Sequence, residues 1–167
     1  KPWDKRWRVV IFDISEINKS VRNSLRNKLR ELGFGMLQES VWVTPHDVSV
    51  AIREFLEAHD LGDVAFVLEV SEILAGDTEA LVRKMWNLEA LKSEYREIIE
   101  DANQFQDMYV ALCGRTAQPT GAREKERKEM DKIGKRVREI RERYVQVFLS
   151  DPCLPNELLP KDWPGKK

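Results

Sequence analysis

The sequence predicts an α+β fold, with a ferredoxin-like βαββαβ domain first and an α-helical domain after it. Over residues 1–75, short apolar runs and amphipathic stretches follow each other in the order strand, helix, strand, strand, helix, strand. In this order both helices lie on one face of an antiparallel sheet. From residue 76 onward, apolar residues recur only at helical spacing, up to a proline-rich end. We therefore expect two domains, over residues 1–75 and 76–167.

Four apolar runs bounded by turn residues predict the strands. They cover residues 7–14, 34–38, 40–44 and 64–70. The first and last runs are almost wholly apolar, which is typical of strands with both faces covered. Since the two helices can cover only one face, the other face must meet a second subunit or the rest of the chain. We take the second subunit as the prediction, which makes the protein a homodimer.

Two amphipathic stretches predict the helices of the first domain. Residues 19–32 carry apolar side chains at helical spacing, and Gly33 supplies a stop signal. Residues 47–59 repeat the helical pattern between Pro45 and Gly62. Both stretches have one apolar side, so each helix should pack that side on the sheet.

The second half of the chain is predicted to be helical. Asp77 is a candidate N-cap, and a single apolar stripe follows it over residues 81–105. A loop is expected at residues 116–121 and a charged helix at residues 122–149. Proline cannot continue a helix, so the four prolines within residues 152–164 favour an extended tail packed on the surface.

The composition is that of a globular protein. Of the 167 residues, 42% are hydrophobic and 34% are charged. The apolar runs are too short to cross a bilayer, and we expect neither a membrane span nor a signal peptide. Cys113 and Cys153 are far apart, and the chain has only two histidines, so zinc-ligand spacing is lacking. Unpaired cysteines of this kind favour a reducing, cytoplasmic location.

A net charge of −1 conceals a segregated distribution of charge. Residues 17–31 carry five basic side chains and one acidic side chain, and residues 47–107 carry fifteen acidic and five basic ones. Residues 120–145 return to ten basic and six acidic side chains. Such segregation allows a nearly neutral protein to present a surface that faces a polyanion.

The basic side chains of the first helix are the candidate nucleic-acid contacts. Lys19, Arg22, Arg26 and Arg30 are three or four residues apart, so they share one helix face. Four cations there could neutralise phosphates without reading sequence. The alternative is an ordinary solvated face beside the apolar stripe. Basic residues at 123–143 alternate with glutamates, which favours pairing within the helix over a DNA contact.

Three stretches of the chain carry distinctive motifs: WDKRWRVVIFDI at residues 3–14, LGFGMLQESVWVTP at residues 32–45 and DPCLPNELLPKDWPG at residues 151–165. Together they resemble the phenylacetate-catabolism repressor (PaaX-like) family. A weaker match is WNLEAL at residues 86–91. The matches follow the order of the family and span nearly the whole chain, so the resemblance is specific.

This resemblance implies the non-enzymatic part of a transcription regulator. Family members look like three-part proteins with an N-terminal winged helix, a ferredoxin-like central domain and a helical C-terminal domain. The chain resembles the last two parts, so it would meet DNA directly or through a missing winged helix. The roles implied for it are dimerisation and sensing of a small effector, which by resemblance is an acyl-coenzyme A thioester.

Asp13 is the candidate catalytic and metal-binding residue. The central domain is similar to the small CRISPR-adaptation nuclease family, which carries a metal-binding carboxylate at the end of its first strand. Two such carboxylates across a dimer could hold Mg²⁺ and activate water. PaaX-like repressors resemble the nuclease at this position, and a strand-end carboxylate can also simply order a turn. We expect Asp13 not to be catalytic, and we expect no metal or cofactor unless the protein is a nuclease.

The other candidate side chains favour structural roles. Trp42, Trp86 and Trp163 are expected to pack in the interior, and His46 and His59 to be exposed. We find no nucleophile–base pair, glycine-rich phosphate loop or clustered metal ligands in the sequence. Three classes of function stay open: a transcription regulator, a metal-dependent nuclease, and a non-catalytic interaction module. The resemblance favours the regulator.

Overall fold

The computed structural model describes residues 3–113 and 123–164. Four strands and five α-helices occur in this part of the chain. The strands are β1 (Trp7–Phe12), β2 (Gly35–Gln38), β3 (Val41–Thr44) and β4 (Ala65–Val70). The helices are α1 (Lys19–Glu31), α2 (Ser49–Ala58), α3 (Thr78–Met85), α4 (Leu88–Cys113) and α5 (Arg123–Ser150). The loop predicted over residues 116–121 lies outside the described residues.

The sheet is antiparallel, with the strand order β2-β3-β1-β4. The two strands that are adjacent in sequence, β2 and β3, form a hairpin, and β1 lies between β3 and β4. With α1 and α2 inserted between strands, this is the predicted ferredoxin-like βαββαβ arrangement. The predicted α+β fold class is confirmed.

One face of the sheet and the two helices α1 and α2 enclose the main core. Leu25 and Leu29 of α1 and Ile52 of α2 are fully buried, and they belong to one cluster with Phe12 and Trp42 of the sheet. The helix α1 ends where Gly33 adopts a positive φ of 79°, a conformation that favours glycine. The apolar sides predicted for α1 and α2 are therefore the sides that these helices bury.

The opposite face of the sheet is covered only in part. At the β2 side, α3 lies so close to Gly35 that a Cβ atom there would be 2.6 Å from Cβ of Met85. At the β4 side, Ile11, Phe66 and Leu68 remain 38%, 58% and 45% exposed. Directly opposite residues share a face, and the pairs Ile11↔Phe66 and Val9↔Leu68 place these side chains on the face away from the main core. The single chain thus leaves an apolar surface on β1 and β4.

The predicted stripe over residues 81–105 is interrupted. Asp77 caps α3 as expected, since its carboxylate accepts hydrogen bonds from the main-chain N–H groups of Glu79 and Ala80. Trp86 then takes an extended conformation, with φ −130° and ψ 132°, and ends α3 before α4 begins. The indole is buried and would contact a Cβ atom at position 35.

The chain divides into two compact units. The first runs through Leu88 and also contains Pro152–Trp163, and the second contains Glu89–Asp151. This division differs from the predicted boundary between residues 75 and 76, because α3 packs on the sheet and the C-terminal segment returns to the first unit. Leu154 and Trp163 of that segment are buried, as are Trp42 and Trp86, so the predicted packing role of the three tryptophans is confirmed.

In the second unit, α4 and α5 run antiparallel. The ring of Tyr95 lies 6.4 Å from that of Tyr144, and its hydroxyl donates a hydrogen bond of 2.9 Å to Asp151. Ile98 of α4 is buried, and so are Ile133 and Val147 of α5. Across the described residues, none of the helices combines the length and apolar character that a membrane span requires.

Candidate functional site

Two of the four predicted nucleic-acid contacts on α1 are paired with acidic neighbours. Arg22 makes a two-point contact with the carboxylate of Glu16, in which Nη2 donates to Oε2 over 2.9 Å. The hydrogen bonds from Arg22 hold the pKa of Glu16 below its ordinary value, and the same pairing raises the pKa of Arg22. This geometry keeps both groups charged but directs the guanidinium toward the protein's own carboxylate.

Arg26 and Arg30 also contact the protein. Nη2 of Arg26 donates to the main-chain oxygen of Glu39 over 3.1 Å and lies 3.5 Å from its carboxylate. The guanidinium of Arg30 lies over the Trp42 ring, 5.3 Å from the ring centroid, and donates to Asn27. A phosphate that reaches this face must therefore share or displace existing partners.

The four basic residues still form a coherent surface, here called the α1 basic face (Lys19, Arg22, Arg26 and Arg30). Their spacing within α1 places them on one side of the helix, and the buried Leu25 and Leu29 lie beside that side. Lys19 and Arg30 are exposed, and Arg22 and Arg26 are half-buried. The sequence predicted this clustering, but it did not predict the two glutamate partners, because Glu39 lies thirteen residues from Arg26.

Asp13 lies directly after β1 and is exposed. Its main-chain N–H donates to the carbonyl oxygen of Val64 over 2.8 Å, which extends the pairing of β1 with β4 by one residue. Within residues 3–113 and 123–164, no group of three metal-ligating side chains is close enough together to hold an ion. In the described part of the chain, Asp13 therefore does not belong to a group of three metal-ligating side chains.

We expect an Asp13→Ala variant to match the parent protein in nuclease assays, with no cleavage by either. The reason is that a hydrolytic metal site requires several ligands, whereas the described chain brings no group of three metal-ligating side chains together at Asp13. The measurement is incubation with single- and double-stranded DNA and RNA in Mg²⁺ or Mn²⁺. Cleavage by the parent but not by the variant would establish the nuclease instead.

Arg8 is a buried charged residue whose surroundings were not predicted from the sequence. It lies within β1, is 4% exposed, and its guanidinium meets three carboxylates. Asp4 accepts two hydrogen bonds, of 2.9 Å from Nη1 and 2.5 Å from Nη2, while Glu69 and Asp47 lie 3.4 and 3.7 Å away. A buried charge requires such compensation, since its desolvation is costly.

The electrostatics of this cluster follow from its geometry. The hydrogen bonds from Arg8 hold the pKa of Asp4 below its ordinary value, and those to Asp4 raise the pKa of Arg8. A signal was present in the sequence: one arginine interrupts the apolar run of β1, and an aspartate stands four residues before it. The cluster ties residues 4 and 47 to the end of the sheet, which assigns it a structural role.

His46 differs from the predicted exposed histidine. It is half-buried, and its Nε2 lies 2.8 Å from the carbonyl oxygen of Pro152. Since a carbonyl oxygen only accepts hydrogen bonds, Nε2 must carry the proton. Gly33 allows this contact, because a Cβ atom there would be 3.2 Å from the His46 ring. His59 is exposed as predicted and stacks on Phe55.

The charges of α5 are partly compensated by α4. Pairs within α5 exist, such as Arg136 with Glu139 at 3.3 Å. In addition, Arg136 and Arg143 both bind Asp101 of α4, the former at 3.1 Å. A groove of about 560 Å³ lies between these helices. Its charged lining mixes both signs and consists of Glu94, Arg136, Glu139, Glu142 and Arg143.

Comparisons with known proteins cover nearly the whole chain. The profile described as PaaX protein central Cas2-like domain matches residues 1–82, and that of the PaaX-like protein C-terminal domain matches residues 86–167. A curated relative is the Transcriptional repressor PaaX of Escherichia coli (strain K12), which is 25% identical over 166 residues. That alignment covers 98% of this chain and 48% of the relative, so the chain spans about half the relative's length.

A solved structure shares the fold. The uncharacterized protein Rv0674 from Mycobacterium tuberculosis superposes with a TM-score of 0.61 at 23% sequence identity, over 99% of this chain and 56% of that one. At this identity the likeness concerns the fold alone. The two domain profiles together account for nearly every residue and for all three stretches that carry the resemblance. The chain belongs to the PaaX-like family, of which it contains the central Cas2-like and the C-terminal domains.

Proposed function

We propose that this chain is the dimerisation and effector-sensing part of a PaaX-like transcription regulator that acts in the cytoplasm. The observation that carries the proposal is the match of both family domains, in order, over residues 1–82 and 86–167. The curated relative that matches the chain is named a transcriptional repressor. The proposed role requires no catalytic residue and no cofactor, and Mg²⁺ would enter only if Asp13 served a nuclease.

Dimerisation is supported by the apolar surface on the sheet. Ile11, Phe66 and Leu68 are large side chains that lie on adjacent strands and are between 38% and 58% exposed. Contiguous apolar surface of this kind marks interaction sites in water-exposed proteins. A regulator that binds DNA half-sites benefits from two-fold symmetry, so a homodimer suits the proposed role.

The proposed effector is an acyl-coenzyme A thioester, and its binding is testable through stability. A ligand that binds only the folded state stabilises it by about 2.7 kcal/mol when its concentration is one hundred times the dissociation constant. We expect the thermal unfolding midpoint to rise with added acyl-coenzyme A thioester and not with free coenzyme A. Differential scanning calorimetry measures this shift. An unchanged midpoint across a panel of aliphatic and aromatic acyl thioesters would contradict the effector-sensing role.

We also propose that DNA contacts the α1 basic face directly. Because Arg22 and Arg26 already have glutamate partners, the contact should be weak, tolerant of sequence and steeply dependent on salt. Changing Arg22 and Arg26 together to Glu should abolish binding of a labelled duplex in fluorescence anisotropy. The matched control changes two exposed arginines of α5, Arg138 and Arg141, to Glu. Equal binding by both double variants would exclude the α1 basic face.

A further inference from the structure

The two edges of the sheet are constructed differently. The edge strand β2 has four residues, and its pairing with β3 shifts register between Met36 and Gln38. Short strands and bulges of this kind discourage pairing with another chain. The other edge strand, β4, has six residues, pairs with β1 without any shift, and contains neither lysine nor proline. By these criteria β2 is protected and β4 is open to a further strand.

The main-chain groups of β4 that are available to a partner follow from the register. Asp13 donates to Val64, which identifies the hydrogen-bonded pairs between β1 and β4. Because these pairs alternate along an antiparallel ladder, residues 64, 66, 68 and 70 face β1 and residues 65, 67 and 69 face outward. The N–H of Ala65 is already donated to Leu61 over 3.0 Å. Val67 and Glu69 retain free outward groups among the described residues.

We propose that two copies of this chain pair through β4, antiparallel and with the two-fold axis at Leu68, into one continuous eight-stranded sheet. The inference rests on the homodimer proposed above and gives it a specific geometry. In this register Val67 of each copy stands opposite Glu69 of the other. Both residues direct their main-chain groups outward, so the two copies exchange four N–H···O bonds.

Neighbouring registers are less favourable. A two-fold axis at Val67 would place Ala65 opposite Glu69, and the N–H of Ala65 is occupied by Leu61. A two-fold axis at Glu69 would place the two Glu69 carboxylates directly opposite each other, which is destabilising. The axis at Leu68 avoids both conflicts and uses only free main-chain groups.

Side chains support the same register. On the open face of the sheet, Leu68 would meet its own counterpart and Phe66 would stand opposite Val70, so every cross-strand pair there is apolar. Phe66 and Leu68 are the exposed members of this row. Glu69 lies on the other face and is already paired with Arg6 and Arg8 of its own chain. No uncompensated charge would enter the junction.

Cysteine cross-linking tests the geometry. In a variant with Cys113→Ser and Cys153→Ser, Leu68→Cys should form an intermolecular disulfide, because a non-hydrogen-bonded pair has its Cα atoms about 4.5 Å apart. The matched control is Phe66→Cys on the same strand and face. Its counterpart would be four residues away along the partner strand, or about 13 Å, and beyond disulfide reach. Ile11→Cys reports on face-to-face packing of the two sheets.

The strength of pairing is tested by light scattering of the full chain. A Val67→Pro variant lacks the outward N–H, and proline is tolerated at an edge position whose N–H faces solvent. Two hydrogen bonds are lost per dimer, so the dissociation constant of the dimer should rise about 30-fold. The circular dichroism spectrum should stay unchanged.

The outcomes separate the inference from the function it rests on. A parent chain that is monomeric at micromolar concentration would overturn both the homodimer and the pairing through β4. A dimeric parent whose Leu68→Cys variant fails to cross-link, or cross-links no better than Phe66→Cys, would overturn the pairing alone. Cross-linking through Ile11→Cys instead would assign the dimer to the sheet faces. Selective cross-linking at Leu68 with a weakened Val67→Pro dimer is the expected result.

Discussion

A Gly35→Ala variant is expected to lose about 2 to 3 kcal/mol of unfolding free energy. The added Cβ would lie 2.6 Å from Cβ of Met85 and 2.7 Å from the Trp86 ring, distances that force α3 away from the sheet. Overpacking of this kind costs roughly 1 to 3 kcal/mol, and neither neighbour can yield easily. Cβ of Met85 is fixed to the α3 main chain, and the Trp86 indole is buried. Urea unfolding followed by tryptophan fluorescence measures the loss.

The control for this effect is Gly62→Ala in the same compact unit. Nothing lies within 4 Å of a Cβ atom at position 62, so the unfolding free energy should change by no more than about 0.5 kcal/mol. If the two variants were equally stable, the packing of α3 on the sheet would not require glycine at position 35. A loss at Gly35 alone supports α3 as an integral part of the first unit.

The second large effect is expected from Arg8→Met, which should lower the unfolding free energy by about 2 to 3 kcal/mol. Removing one partner of a buried ion pair typically costs roughly 3 to 5 kcal/mol. The cost here is smaller because the carboxylates left behind, Asp4, Asp47 and Glu69, are each about half exposed and can be hydrated. Methionine retains the apolar stem of the arginine, so the loss reports the guanidinium contacts.

Arg6→Met is the matched control, since Arg6 is an exposed arginine on the same strand end that pairs with Glu69. An exposed pair contributes about 0 to 1 kcal/mol, so this variant should stay close to the parent. If Arg6→Met were as destabilised as Arg8→Met, burial of the guanidinium would not be the cause.

Lowering the pH should reduce the loss of unfolding free energy that Arg8→Met causes. The folded protein holds the pKa of Asp4 below its ordinary value of 3.8, so the pair stabilises the fold fully above that pH. The contribution is lost as the pH falls from 3.8 through the lowered pKa. The difference between parent and variant should therefore be largest near neutral pH and shrink below pH 3.8, as measured by unfolding at pH 7 and pH 3.

Much of the fold could be predicted from the sequence because the signals are local. The apolar run of β1, the stripe with Leu25 and Leu29 in α1, and the stop at Gly33 each depend on neighbouring residues. Helix and strand periods differ, so these patterns distinguish the elements and place their buried sides. The order of the elements then limited the sheet to one familiar topology. The α1 basic face followed from the same helical spacing.

Features that depend on distant residues could not be read in this way. Glu39, the partner of Arg26, lies in the turn between β2 and β3. The carboxylates around Arg8 come from residues 4, 47 and 69. The stripe over residues 81–105 gave no sign of its interruption, because Met85 and Leu88 are at helical spacing although Trp86 between them is held in an extended conformation. His46 likewise acquired its role from a carbonyl group 106 residues away.

The sequence by itself determined the α+β class, the βαββαβ order, the buried side of each helix and the membership of the PaaX-like family. These depend on periodicity and on motifs that are contiguous in the chain. Only the tertiary structure decided which part of the second sheet face α3 covers, which edge strand stays open and which charges are already paired. Those outcomes are set by packing and hydrogen bonding between segments far apart in sequence, where a single close approach, such as that of α3 to Gly35, overrides any local preference.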